Sequence, residues 1–175
     1  MMDMKNMKGT RDKEYTRVAV TGLGAVSSIG TGRQAFWEGL LAGSSGVSPI
    51  RSFDTTDYRV KIGGEIHGFR IEDFLPKRQS RRYGRASQIA IAAALLALED
   101  AGLSFDRDRS ESPLGLFIGS TMGECREQEI VMRAWARGSH RDLRRKNIIR
   151  LPDSLLACNV MHALRMGSIG STFPT

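Results

Sequence analysis

Arg17-Val-Ala-Val-Thr-Gly-Leu-Gly-Ala-Val-Ser-Ser-Ile-Gly-Thr-Gly32 sets a short apolar, β-prone run, Val18 to Val20, ahead of a turn built on Gly22 and Gly24. Such a run with turn residues behind it reads as a buried strand. Thr31 stands three residues before Gln34, the spacing of a capping box, and "AFWEGLLAG" follows with Phe36/Leu40 and Trp37/Leu41 four residues apart, which predicts a short amphipathic helix stopped by Gly43. Strand, loop, helix is the opening of an α/β fold.

Residues 44 to 75 are punctuated by Gly, Ser, Pro and Asp and read as an irregular excursion with one short strand at Val60 to Ile62. Ala86 to Ala101 is apolar nearly all round and ends before Gly102, so it predicts a helix buried between layers. Leu114 to Ile118 reads as a second buried strand. "MGECREQEIVMRAWARG" follows with acids early, arginines late and a terminal glycine, as a helix aligned with its dipole requires. A basic loop, 138 to 151, then leads to a helix in "PDSLLACNVMHALRMG", with Asp153 as N-cap and Gly167 past its end, and to a strand-like tail, "GSIGSTFPT". Alternating strands and helices predict a layered α/β domain with a largely parallel sheet. The polar start, residues 1 to 16, reads as a flexible tail.

Composition narrows the functional classes. No run of 18 apolar residues occurs and the first residues have no signal-peptide core, so the expectation is a cytoplasmic protein without a membrane span. Two cysteines, Cys125 and Cys158, do not make a disulfide framework. The net charge of +7 points to an acidic partner. It is concentrated in "PKRQSRRYGR" and in "RAWARGSHRDLRRKNIIR", where Asp142 is the single acid. These predict two basic surfaces, but aromatic residues are not interleaved with them as stacking platforms for nucleic acid would need, and nucleic acid is not the expected partner.

Candidate chemistry is sparse. Gly22 and Gly24 follow a strand, yet Ser27 stands where a dinucleotide fingerprint needs its third Gly or Ala, and no second strand with an acid follows at the right distance. A nucleotide-binding module stays as an alternative; turn glycines packed close to neighbouring backbone are the plainer reading. Cys158 falls mid-helix among Leu155, Leu156 and Val160 and reads as a packing residue. Cys125, near a helix start beside Arg126, could be partly activated. His67, His140 and His162 show no metal-ligand spacing, so neither metal nor cofactor is expected.

Read together, "RVAVTGLGAVSSIGTG", "FWEGLLAGSSGVSPIRSFDTTDY", "ALLALEDAGL", "GLFIGSTMGE" and "GSIGSTFPT" resemble, in this order, the N-terminal part of a β-ketoacyl-acyl-carrier-protein synthase, nearest to the synthase II type. The similarity runs from about Arg17 to Thr175. It implies a thiolase-like, layered αβαβα fold, of which residues 17 to 175 would be an incomplete N-terminal half. It also implies decarboxylative condensation of an acyl thioester with malonyl-carrier protein, in fatty-acid or polyketide synthesis, by a homodimer. The family's nucleophile comes in Thr-Ala-Cys; Thr175 matches the threonine, so the resemblance puts the cysteine, both histidines and the lysine beyond Thr175, assigns no catalytic residue here, and implies that this chain alone is inactive. A non-catalytic subunit of the chain-length-factor kind is the alternative within the family.

Carried over residue by residue, Met122 matches a position lining the acyl-chain pocket. Lys77, Arg78, Arg81, Arg82, Arg144, Arg145 and Lys146 match regions near which the family docks the acidic carrier protein. One departure is local: Tyr83-Gly84 falls where many members carry an apolar residue followed by an acid, and Gly84 is expected to weaken entry into the following helix.

Overall fold

A computed structural model of the chain describes residues 17–103, 115–139, 141, 143–152, 155–166 and 169–174. The expected tail 1–16, Leu114, Asp153 as a cap and Gly167 as a stop lie outside the described residues.

The centre is α3, Arg85–Asp100. Its face formed by Ser87, Ile91 and Ala92 is buried, and of its other residues only Glu99 is exposed, so the all-round apolar pattern does correspond to packing on several sides. Against it lies α6, Leu155–Leu164, whose Val160 and Leu164 join Ile91 and Ala92 in the core. Asn159 of α6 donates to the Ser87 hydroxyl at 2.9 Å, which satisfies a polar pair inside this contact. Ile71, Leu75 and Tyr83 close the core from the segment that precedes α3.

The longest strands are β5, Gly115–Ser120, and β6, Ile169–Pro174, paired in parallel with Gly115 opposite Ile169 and Ser120 opposite Pro174. Strand β5 is not buried on both faces as expected. Leu116 and Ile118 turn to the core while Phe117 is 73% exposed, the alternation of a strand covered on one side. The remaining pairs are antiparallel and two residues long: β1, Val26–Ser27, with β2, Gly30–Thr31, and β3, Ser48–Pro49, with β4, Ile62–Gly63. The described strands therefore mix both senses, and the excursion at 44–75 holds two short strands, not one.

Val18 to Val20 form no strand, and Val18 and Val20 are 90% and 80% exposed. No described strand lies beside them to complete a ladder. The glycines that follow do what close packing requires. A Cβ on Gly24 would stand 2.7 Å from the Ala97 amide nitrogen, and one on Gly22 would stand 2.8 Å from the Ala101 Cβ, so both turns rest directly on α3. Asp100 fastens the same junction: its carboxylate accepts the Leu23 amide at 2.9 Å and pairs with Arg33 at 3.1 Å.

Helix α1 spans Arg33–Leu41, but its N-cap is Gly32 at φ 87°, not Thr31, and no side chain caps it. The capping box does not form because Thr31 is held in β2 opposite Val26 and the helix starts one residue later; the Gln34 side-chain amide instead donates forward to Glu38, one turn on, at 2.6 Å. At the other end Gly43, at φ 64°, is the left-handed residue past the helix, and the Ser44 amide returns to the Gly39 carbonyl at 2.9 Å. The apolar side of α1 is open: Trp37, Leu40 and Leu41 are all exposed.

Candidate functional site

Strand β5 runs out into a tight loop, Thr121–Glu124, where Gly123 adopts φ 51° and its amide is held by the Ser120 hydroxyl at 3.0 Å. The loop delivers Met122 outward, 61% exposed, so it is not a core residue. Its side chain lines a cavity of about 550 Å³ with Phe53 and, from α4 (Cys125–Ala136), Cys125 and Met132. Thioethers, a thiol and a ring give one side of this cavity an adaptable apolar wall, while Ser52, Arg126, Gln128 and Glu129 line the rest of it. Cys125 is partly buried at the first position of α4, its sulfur 3.9 Å from the Gly123 carbonyl. Cys158 is exposed, contrary to its reading as a packing residue: helical periodicity turns Leu156, Ala157 and Val160 inward and leaves position 158 outside.

Two residues after Met122, Glu124 is 3% exposed and points into the start of α3. One carboxylate oxygen accepts the Ala86 amide at 3.1 Å and the other the Ser87 amide at 2.9 Å. These are two of the amides that a helix start leaves without partners, and a carboxylate there also meets the positive end of the helix dipole. Gly84, the N-cap of α3, makes room for it, since a Cβ on residue 84 would stand 2.7 Å from Glu124 Oε1. Gly84 thus does not leave the helix entry weak. The acid missing at 84 is supplied from the loop after β5.

One turn further on, Glu127 is buried and bonded on both oxygens, by Asn147 Nδ2 at 2.8 Å and Arg150 Nη1 at 2.9 Å. Asn147 belongs to α5, Arg145–Ile149, a helix inside the stretch read as a basic loop. Arg150 also donates to the backbone carbonyls of Arg82 (3.1 Å) and Arg81. This one side chain joins the two basic segments, which sequence had left apart.

The joined surface carries the predicted cations outward. Lys77 and Arg78, on α2 (Lys77–Ser80), are exposed, as are Arg81, Arg82, Arg144, Arg145 and Lys146. Arg78 and Arg82 continue into a cleft of about 570 Å³ shared with His162 and with Arg165, which adopts φ 55° just past α6. Two other arginines of the runs are engaged within the chain, one at the surface and one partly buried. Arg133 pairs with Glu129 along α4 at 2.6 Å. Arg85 stacks 4.7 Å above the Phe69 ring and donates to the Ile66 and Phe69 carbonyls; burial, with Arg126 nearby, lowers its pKa.

Among the described histidines, His162 Nδ1 meets the Tyr83 hydroxyl at 2.7 Å and His67 meets the Ser48 hydroxyl at 3.2 Å. Tyr83 is buried, which raises its pKa and keeps the phenol in its neutral, hydrogen-bonding form. His140 lies outside the described residues. No group of three His, Cys, Asp or Glu side chains suited to a metal ion occurs among the described residues, and no described helix is long and apolar enough to cross a membrane. Sequence reading missed Glu124 and the Glu127–Asn147–Arg150 cluster. The one signal was the absent acid at Gly84, which asked where the charge had gone.

Comparison with known proteins places this geometry. The family model for the β-ketoacyl synthase N-terminal domain matches residues 15–170. The 3-oxoacyl-[acyl-carrier-protein] synthase 2 of Staphylococcus aureus (strain N315) is 40% identical over 114 residues, 65% of this chain and 27% of that protein. The chain thus matches about a quarter of the length of that relative. Among solved structures, the ishigamide ketosynthase/chain length factor is similar at a TM-score of 0.79 and 32% identity, over 89% of this chain and 39% of the other. A "type II PKS acyl-carrier protein in complex with its ketosynthase bound to the hexaketide" shares the fold at a TM-score of 0.63 and 24% identity, over 89% of this chain and 37% of the other.

Proposed function

The chain belongs to the β-ketoacyl synthase family, with the thiolase-like fold of its ketosynthase neighbours, and from that premise we propose that it serves decarboxylative condensation on a carrier protein. In that reaction the bond between the malonyl carboxylate and its methylene carbon breaks and carbon dioxide leaves. The freed electron pair attacks the acyl thioester carbonyl, and the acyl carbon–sulfur bond breaks to release the thiol. The described residues serve binding: Met122 lines the acyl pocket, and Lys77, Arg78, Arg81, Arg82, Arg144, Arg145 and Lys146 dock the acidic carrier protein. On this reading residues 17–175 are the first part of a larger synthase domain. Family membership supports its two further elements, a homodimer and a cytoplasmic location.

The observation that carries the proposal is the convergence at the start of α4. An exposed apolar side chain facing a cavity, Met122, stands two residues from Glu124, while Glu127 on the next turn holds Arg150, the link between the two basic segments. An acyl chain tethered to an acidic protein needs an apolar pocket and a basic surface close together. Fluorescence anisotropy with labelled acyl-carrier protein tests this. Binding at low salt that weakens steeply with added salt is the expected result; no binding at any ionic strength would overturn the proposal.

A second reading, a non-catalytic subunit, is favoured by one observation: the 32% identical neighbour comprises a chain length factor as well as a ketosynthase. Intact-protein mass spectrometry of the larger synthase that contains these residues, after incubation with acyl-carrier thioester, separates the two, because the resemblance puts the nucleophile beyond Thr175. An acyl adduct marks the enzyme; carrier binding without an adduct marks the subunit.

A further inference from the structure

We propose that Glu124 is a positioning residue that ties the acyl-pocket loop to the carrier-docking segment, so that the two binding surfaces respond as one. The inference rests on the reading of Met122 and of the basic segments given above, and it deepens that reading.

Three observations carry it. Glu124 is out of solvent yet spends both carboxylate oxygens on backbone amides of a different element, Ala86 and Ser87, rather than on its own helix. Those amides begin α3 directly after the segment Lys77 to Arg82, so whatever moves that segment moves the donors. On the other side Glu124 is two residues from Met122, across Gly123 at φ 51°, a tight turn that leaves little slack between the carboxylate and the pocket wall.

The second basic segment is gathered at the same point. The Glu127 amide bonds the Glu124 carbonyl at 2.9 Å, and the Glu127 side chain holds Asn147 and Arg150. The first turn of α4 is therefore the place where the pocket loop and both basic segments meet. Packed elements joined through charged hydrogen bonds of this kind shift together, and their energies cease to be additive.

Helix stability alone would not need this arrangement. An Asp at position 84, whose backbone is extended as an N-cap requires, could cap α3 from within its own segment. Placing the acid at 124 provides the same cap and adds a connection. The reciprocal exchange G84D/E124G therefore separates the two roles: it keeps a carboxylate at the start of α3 and cuts the tie to the loop.

The experiment compares the intact wild-type protein, E124Q and G84D/E124G. In hydrogen-exchange mass spectrometry, E124Q should exchange about tenfold faster both at the α3 start, Ala86 and Ser87, and in the loop, Met122 and Gly123. The reciprocal exchange should restore protection at Ala86 and Ser87 and leave the loop fast. Return of loop protection in G84D/E124G would overturn the proposal, and this readout does not involve the carrier.

Carrier affinity supplies the second readout. In wild type the combined effect of M122A and R78A on Kd should depart from the product of their single effects by a factor of about 3 or more, and the departure should vanish in G84D/E124G. Multiplicative effects in wild type, or a departure that survives the exchange, would refute the coupling. Failure of wild type to bind carrier at all, with the exchange pattern as expected, would remove the proposed docking function and leave the tie itself standing. Similar thermal midpoints for wild type and G84D/E124G confirm that folding is not the variable.

Discussion

Arg150 holds Glu127 at 2.9 Å with the two side chains only 12% and 9% exposed, and the same guanidinium caps the carbonyls of Arg81 and Arg82. A residue within a basic run is thereby spent on architecture. Arg150→Ala leaves a buried carboxylate with Asn147 alone and should destabilise by about 3–5 kcal/mol in urea unfolding. Arg150→Lys should recover only part of that, because a point charge cannot serve the carboxylate and the carbonyls from one planar fork. A loss under about 1 kcal/mol for Arg150→Ala would argue against the network.

Two glycine-to-alanine changes should fail for different reasons. Gly24→Ala forces a methyl into the α3 backbone and should cost about 3 kcal/mol, at the upper end for overpacking. Gly43→Ala meets open space and pays only for its φ of 64°, about 1–2 kcal/mol. Chemical denaturation of the pair should show that order; equal losses would mean the first turn does not rest on α3.

Acid sensitivity should centre on the excursion. Hydrogen bonding by Ser52 and by the Arg51 amide lowers the Glu65 pKa below the ordinary glutamate range. A lowered folded pKa adds stability above the unfolded value, and that stability is lost as pH falls through the folded one. Glu65→Gln should therefore flatten the acid limb of a stability profile as pH falls through and below the ordinary glutamate range, and leave its neutral-to-alkaline limb unchanged in shape. An unaltered acid limb would show that Glu65 is not the group responsible.

The exposed and the structural cations should part company under charge reversal. Lys77→Glu with Arg78→Glu, or Arg145→Glu with Lys146→Glu, should weaken carrier binding several-fold, mainly in the association rate and mainly at low salt, with the thermal midpoint nearly unmoved. Arg85→Glu should instead lower the midpoint, since Arg85 is partly buried over Phe69. Stopped-flow association and differential scanning fluorimetry, run on the same variants, give both halves of the comparison.

Met122 should set chain preference. Met122→Trp fills the wall of the cavity and is expected to reject longer acyl chains, whereas Met122→Ala should widen the accepted range. Competition between carrier proteins loaded with short and long chains reads the change directly. Identical preference in both variants would place the chain elsewhere.

Much of the helical framework was readable in advance because its signals are local. The alanine-rich stretch forms α3, Gly43 and Gly102 adopt positive φ beyond helix ends, and the acid-to-arginine gradient of 124–137 became α4. Gly22 and Gly24 also kept their expected role, resting on neighbouring backbone. What failed depended on distant partners. Val18 to Val20 have strand composition without a described strand beside them, and Thr31 does not cap α1 because it pairs with Val26 in β2 and leaves Gly32 as the N-cap. The clearest case is Glu124, whose amides lie 37 and 38 residues earlier in the chain. The sorting of arginines was invisible for the same reason: nothing in the letters distinguishes Arg150, which faces Glu127, from Arg145, which faces water.

The bond from the Leu23 amide to Asp100 spans 77 residues, and it bears on how the chain leaves the ribosome. At roughly 5–20 residues per second, about 4 to 15 s separate the synthesis of Leu23 from that of the aspartate that fastens it. During that interval the glycine turn has no α3 to rest on, and the valines ahead of it are available to a chaperone. Pulse proteolysis of ribosome-arrested chains should show protection around residues 22–25 arising only when Asp100 has cleared the exit tunnel. Earlier protection would mean that the turn is held by something nearer in sequence.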